Sequence, residues 1–343
     1  MSLPRTLGLA AIALIVAGLP HAAPASADDE THGVTVGVAV APPQVTGFAL
    51  GSLRGGVVAR DAEALDRVIV AGVALRADGR GIAPTTDAMR RVRRQAASRG
   101  LSTELILSNY SNATESFDPA RAHRLLSSTR AITRVARTMA RSVVREGWGG
   151  VNVDLERVRA SDAAGLVSLL DRLQRVLPAE RTVSLDVSAA TSTAGYRARG
   201  YDLPRLADVA DVIVVMAYDQ HGPGWSPPGP IGALPWQRRA MAAALESVPA
   251  HQLDLGVAGY GYAWEGNGGR AHSAPGARRR VERAGVTPRW HRVAGEWSAR
   301  LPGGAVLWWS DGRSYRLRLA LAGELGLRGV AVWRLGWADA LRP

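Results

Sequence analysis

Gly149-Gly150-Val151-Asn152-Val153-Asp154-Leu155-Glu156 decides the reading of this chain. Side chains on a strand alternate between faces. Val151, Val153 and Leu155 therefore share one face, suited to packing under a layer of helices. Asn152, Asp154 and Glu156 share the other, with the two carboxylates about 6.6 Å apart along the strand. Burying carboxylates costs several kcal/mol unless they are paired or neutral. A solvated edge strand would avoid that cost, but the Val/Leu face and the flanking glycines point to an internal strand.

Working outward, strands alternate with helices. Val34 to Ala41 predicts a strand ended by Pro42-Pro43, and Leu65 to Leu75 holds a second apolar run. Thr86 to Arg99 reads as a helix stopped at Gly100. Ser102 to Ser108 is a strand, and Pro119 to Glu146 a helix broken near Ser127-Ser128. After the central strand come a helix over Asp162 to Val176, with Leu166, Leu169, Leu170 and Leu173 on one face, and a strand over Arg181 to Ala189. A loop with Tyr196 and Tyr201 leads to a strand over Asp211 to Tyr218. A Gly/Pro-rich loop, a helix over Trp236 to Ser247 and a strand over Leu253 to Tyr262 follow. Trp264 to Asp311 reads as irregular, with a small β-hairpin including Ala305 to Ser310. Tyr315 to Leu325 is the last helix and Gly329 to Leu335 the last strand. Continuous apolar strands alternating with helices mean a parallel sheet with crossover helices. About eight such units predict an α/β fold, a closed (β/α)8 barrel with a small β-hairpin insertion after the seventh strand. An open doubly wound sheet is the alternative, but Pro42-Pro43 stands where its glycine-rich loop would be.

Composition bounds the rest. Residues 1–27 read as a secretory leader: Arg5 supplies the charge, Leu7 to Leu19 the apolar run and Ala25-Ser26-Ala27 the cleavage site. Residues 28–343 read as a single domain. The expected location is therefore secreted, extracellular or wall-associated, with no membrane contact after leader removal. There is no cysteine, which excludes thiol catalysis and thiolate metal sites. All 42 basic residues are Arg and the net charge is +12, which favours anionic partners such as cell-wall polymers. Nucleic acid is not expected, because the Arg residues are scattered and no DNA-binding motif is present. His221, His272 and His291 match no ligand spacing, so no metal is expected. Arg278-Arg279-Arg280 reads as a solvated patch and Gly266 to Gly269 as loop. The acceptor patterns at Asn109 and Asn112 read as chance, and no nucleophile-elbow serine appears. A monomer without cofactor is expected.

In such a barrel the active site forms at the carboxyl ends of the strands. Ser108-Asn109, Asp154, Glu156, Tyr218-Asp219, Tyr260 and Trp333 all fall there and should converge on one mouth. Two carboxylates with aromatic walls suit sugar chemistry. Glu156 at the rim is the candidate acid, its proton affinity raised by Asp154 and by desolvation.

Asn152-Val153-Asp154-Leu155-Glu156 resembles the D-x-D-x-E signature of glycoside hydrolase family 18, the chitinase family. Met216-Ala217-Tyr218-Asp219 is similar to its M-x-Y-D at the end of the sixth strand, and Trp333 to its substrate-floor tryptophan. Leu234-Pro235-Trp236, Gly259 to Trp264 and Trp333 to Gly336 resemble the spore-germination, cortex-lytic branch. The likeness runs from about Ser102 to Asp339 and is weak before Gly100.

The resemblance implies an exported hydrolase of β-linked N-acetylglucosamine polymers, peptidoglycan or chitin-like, working by substrate-assisted retention. Glu156 would protonate the leaving oxygen and later serve as base. Asp154 would orient the acetamido N–H, and Tyr218 would bind the acetamido oxygen. Asn152, Met216, Asp219, Tyr260 and Trp333 would line the sugar site. Asn152 departs from the signature: it can donate a hydrogen bond to Asp154 but cannot store its charge, which bears on the pH profile. A non-catalytic, lectin-like barrel is the competing reading, and an active barrel on another glycan the third; retention of Glu156 favours catalysis.

Overall fold

Two-residue alternation along the strands builds a closed parallel barrel in the computed structural model, which describes residues 42–342 apart from 267. Its staves are β1 (Gln44–Leu50), β2 (Arg67–Ala74), β3 (Ser102–Ser108), β4 (Gly150–Asp154), β5 (Thr182–Ser188), β6 (Val212–Met216), β7 (Leu253–Ala258) and β8 (Gly329–Trp333). Each pairs with the next, and β8 closes on β1. The predicted leader and the predicted strand Val34 to Ala41 lie outside the described residues. The first stave is instead Gln44–Leu50, just past the two prolines.

The outward side chains of β4, Val151 and Val153, join Val135, Leu166 and Leu170 in the large cluster between staves and helices. Inward, Phe48, Ile69, Ile106, Val212, Val214 and Ala331 form a second, smaller cluster. The remaining inward space is polar. Arg67 pairs with Glu104 at 2.5 Å and Arg328 with Asp254 at 2.6 Å.

The approach to β4 is set by local chemistry. Ser127 ends the helix Pro119–Leu126, and Ser128 caps Thr129–Glu146 by accepting from the Ala131 N–H. Gly147 closes that helix at φ +71°, where its N–H and that of Trp148 return to the Val144 and Val143 carbonyls. Gly150 is then required by space, because a Cβ there would lie 2.2 Å from the Thr182 carbonyl oxygen on β5.

Two further expectations change. The predicted strand Leu253 to Tyr262 is two strands. Gly259 breaks it, donating to the Trp333 carbonyl at 2.7 Å where a Cβ would meet Ala338. The insertion beyond it is also larger than a hairpin. It is a five-stranded antiparallel sheet ordered Gly268–Ser273, Tyr260–Glu265, Val306–Trp309, Glu296–Arg300, Arg289–His291. The helix Ala274–Arg283 packs on it through Ala277 and Val281.

Candidate active site

Glu156 lies two residues past the end of β4, half-buried, and its backbone is fixed from the neighbouring stave. The Asn109 side chain, fully buried after β3, accepts from the Glu156 N–H at 2.9 Å. It also donates to the Glu156 carbonyl at 2.9 Å and to the Asp118 carbonyl at 3.0 Å. Asn109 stands at the mouth, but the family resemblance gives it no work; the structure shows it positioning Glu156. Its burial also removes it as a glycan acceptor, whereas Asn112 is exposed.

Asp154 ends β4 opposite Ser108 and is 8% exposed. Its Oδ1 is buried and meets no donor. Burial raises its pKa from 3.8 to about 7, opposed by a hydrogen bond from Ser108. Glu156 is raised well above the usual carboxyl range, first by burial, then by the charges of Asp154 and Asp219. Both acids therefore hold protons into the range where an exposed carboxylate is bare.

Asn152 does not turn toward Asp154. Its amide donates to Ser184 Oγ and to Asp186 Oδ1, both at 2.9 Å on β5, and its own Oδ1 is buried without a donor. Strand pairing is the reason: β4 and β5 align Asn152 with Ser184, so the amide reaches sideways along the sheet rather than up its own strand. Ser184 in turn donates to Glu104 at 2.5 Å. Asp186 and Ser184 escaped the sequence reading, although their period of two within Thr182–Ser188 places them inward.

β6 delivers Met216, Tyr218 and Asp219. Asp219 has φ +56°, a left-handed turn that aspartate tolerates, and stands exposed at the rim. Its carboxylate accepts from the Tyr260 hydroxyl and, at 3.0 Å, from Tyr262. Tyr260 is thereby committed to Asp219 and buried, at the start of the insertion rather than on a stave. The Tyr218 phenol is pushed well above its usual pKa by burial and by Asp186, Asp154 and Glu156, so it remains a donor.

Glu156, Met216, Tyr218 and Asp219 line one cleft of about 510 Å³, with Arg199 and Trp236 among its other walls. On the inward face of β4 behind Glu156, Asp154 keeps 8% of its surface exposed and Asn152 is fully buried. Trp333 ends β8 against Phe48, ring centroids 5.5 Å apart, and packs on the same hydrophobic cluster as Tyr218, Tyr260 and Ile231. Glu156 and Asp154 from β4, Tyr218 from β6 and Trp333 from β8 thus come to one end of the barrel.

The other flagged residues have structural partners. His272 meets Arg280 at 3.0 Å, His291 meets Ser298 at 2.8 Å and His221 packs on Gly229. Arg278 and Arg280 are not simply solvated: they pair with Asp339 and Glu265, each at 2.5 Å. No group of three or more His, Cys, Asp or Glu is set to hold a metal among the described residues.

Comparison with known proteins gives a consistent picture. The family pattern described as "Glycosyl hydrolases family 18" matches residues 55–337. The "Uncharacterized glycosylase YvbX" of Bacillus subtilis (strain 168) is 22% identical over 251 residues, 70% of this chain and 73% of that one. The cortical fragment-lytic enzyme of the same organism is 23% identical over 245 residues, 68% of this chain but only 56% of that one. Among solved structures, a class V chitinase from Pseudomonas fluorescens Pf-5 superposes with a TM-score of 0.79 at 23% identity. That superposition covers 87% of this chain and 96% of the chitinase.

Proposed function

The chain belongs to glycosyl hydrolase family 18, and from that premise we propose that it cleaves β-linked N-acetylglucosamine-containing polysaccharide, peptidoglycan or chitin-like, by substrate-assisted retention. The observation that carries the reading is the position of Glu156. It is a half-buried acid with a raised pKa on the wall of the cleft, held by Asn109 and backed by Asp154.

In the first step the Glu156 proton passes to the glycosidic oxygen as the bond to the anomeric carbon breaks. The substrate's acetamido oxygen attacks that carbon from the opposite face. Asp154 accepts the acetamido N–H and balances the charge that develops, and the Tyr218 phenol donates to the acetamido oxygen. Water then opens the cyclic intermediate, giving its proton to Glu156. A half-buried donor whose proton is held above the usual carboxyl range suits the first step, and general acid catalysis of this kind contributes about 10²–10⁴-fold. Met216, Asp219 and Trp333 shape the sugar site, with Tyr260 acting through Asp219. We place the enzyme outside the cell or at the wall, on the strength of the leader-like residues 1–27.

The test is turnover of chitin oligomers and of peptidoglycan glycan strands by wild type and Glu156→Gln. The reading expects hydrolysis of at least one N-acetylated substrate and a loss of about 10²–10⁴-fold in kcat in the variant. Equal turnover by the two proteins overturns it.

A further inference from the structure

Asp186 is a buried carboxyl that the mechanism above leaves without work. It is 2% exposed and sits inside the barrel on β5. The ladder that pairs Asn152 with Ser184 and Val153 with Leu185 brings Asp186 level with Asp154. Its one side-chain hydrogen bond is from the Asn152 amide, an uncharged donor that favours the ionised form only in part and brings no cation to the pit. The charged groups around it are acids: Asp154 and Glu156 above β4, and Glu104 on β3. The Arg67 cation is taken by Glu104 and the Arg328 cation by Asp254. The phenol of Tyr218 faces the same group from β6. Carboxyls crowded in a low-dielectric pit without a cation cannot all ionise together. Beside Asp186, Asp154 carries a buried Oδ1 that meets no donor.

We propose that Asp186 is a positioning residue that holds one proton in common with Asp154 and keeps it while Asp154 is the anion facing the substrate's acetamido N–H. The exchange is balanced. The O–H bond on Asp154 breaks, an O–H bond on Asp186 forms, and the negative charge moves to Asp154 with no other change. Where the pair gives up its proton, the added charge helps to keep the proton on Glu156. The inference rests on the glycosidase reading of this same site.

The test is the pH profile of kcat/KM on an N-acetylated oligomer. Asp186→Asn removes a negative neighbour of Glu156, so the alkaline limb moves to lower pH, by about one unit. The double variant Asn152→Asp/Asp186→Asn restores a carboxyl to the pit and returns the limb toward its wild-type position. An alkaline limb that stays in place in Asp186→Asn overturns the proposal, whatever happens to kcat, because a structural role changes activity without moving the profile. Should Asp186→Asn fail to fold, carbon-13 NMR of wild-type protein labelled at aspartate carboxyls decides. Two aspartates titrating in linked, separated steps support the shared proton; no aspartate still protonated above about pH 6 overturns it. The NMR arm needs no turnover, so it stands apart from the Glu156→Gln result that tests the glycosidase reading.

Discussion

At the scale of single residues, the site is held by amides and loaded with protons. Asn109 satisfies both backbone groups of Glu156. Asn109→Ala leaves those groups unpaired, and kcat is expected to fall about 10–100-fold, a loss of the order that misplacing a catalytic group brings. Steady-state kinetics beside far-UV circular dichroism would separate this from unfolding. Asp154 makes a prediction about stability. Its folded pKa of about 7 lies above the ordinary 3.8 of an unfolded chain. Below pH 3.8 both states are protonated and the cost of keeping this group un-ionised on folding is absent. Between 3.8 and 7 the unfolded state alone releases the proton, so stability falls as pH rises, and above 7 the cost is complete. Asp154→Asn removes it, so the variant melts higher than wild type at pH 8, by up to a few kcal/mol in order of magnitude, and with little difference at pH 4. An equal offset at both pH values in thermal melts contradicts this. The inward row Asn152, Asp154, Glu156 was legible from alternation. The partner of Asn152 was not, because cross-strand register decides it and no single strand encodes that register.

At the scale of elements, glycine positions carry as much information as the apolar runs. Seven of the eight staves and the helix break at Ser127-Ser128 follow from periodicity and capping residues; the first stave, Gln44–Leu50, lies past the two prolines expected to end it. The break at Gly259 and the helix Ala274–Arg283 were not legible in advance. Gly259 looks like any strand glycine until Ala338 is packed against it. Pro275 and Gly276 read as loop until Ser273 caps them by accepting from the Gly276 N–H at 3.1 Å. Gly150→Ala tests the tight approach of β4 to β5. Its methyl would meet the Thr182 carbonyl, so urea unfolding should show a loss of about 1–3 kcal/mol or failure to fold. A variant as stable as wild type would mean that the two staves can separate there without cost.

At the scale of the whole molecule, the insertion is tied to the barrel by one buried ion cluster. Arg318, on the helix Gly312–Glu324, meets Glu296 of the inserted sheet at 3.2 Å. It also donates to the Gly232 and Gly295 carbonyls, both at 2.6 Å. Glu296 accepts in turn from the Ile231 and Gly232 N–H groups, in the loop after β6 that carries Asp219. Arg318→Met leaves Glu296 buried and unpaired, so a loss of about 3–5 kcal/mol is expected in thermal or denaturant unfolding. Adding Glu296→Gln should recover part of it. The eightfold rhythm that predicts the barrel is local and therefore readable. This tie joins residues far apart in the chain and becomes visible only in the folded molecule.

The central claim is that the substrate's own acetamido group is the nucleophile, so the enzyme needs one acid, Glu156, and one helper, Asp154. The most direct measurement compares turnover of an N-acetylated oligomer with that of its fully de-N-acetylated counterpart, following the anomer first formed by proton NMR. The account predicts cleavage of the acetylated oligomer with the β-anomer appearing first, and no comparable cleavage of the other. Similar rates on both, or the α-anomer appearing first, would contradict it.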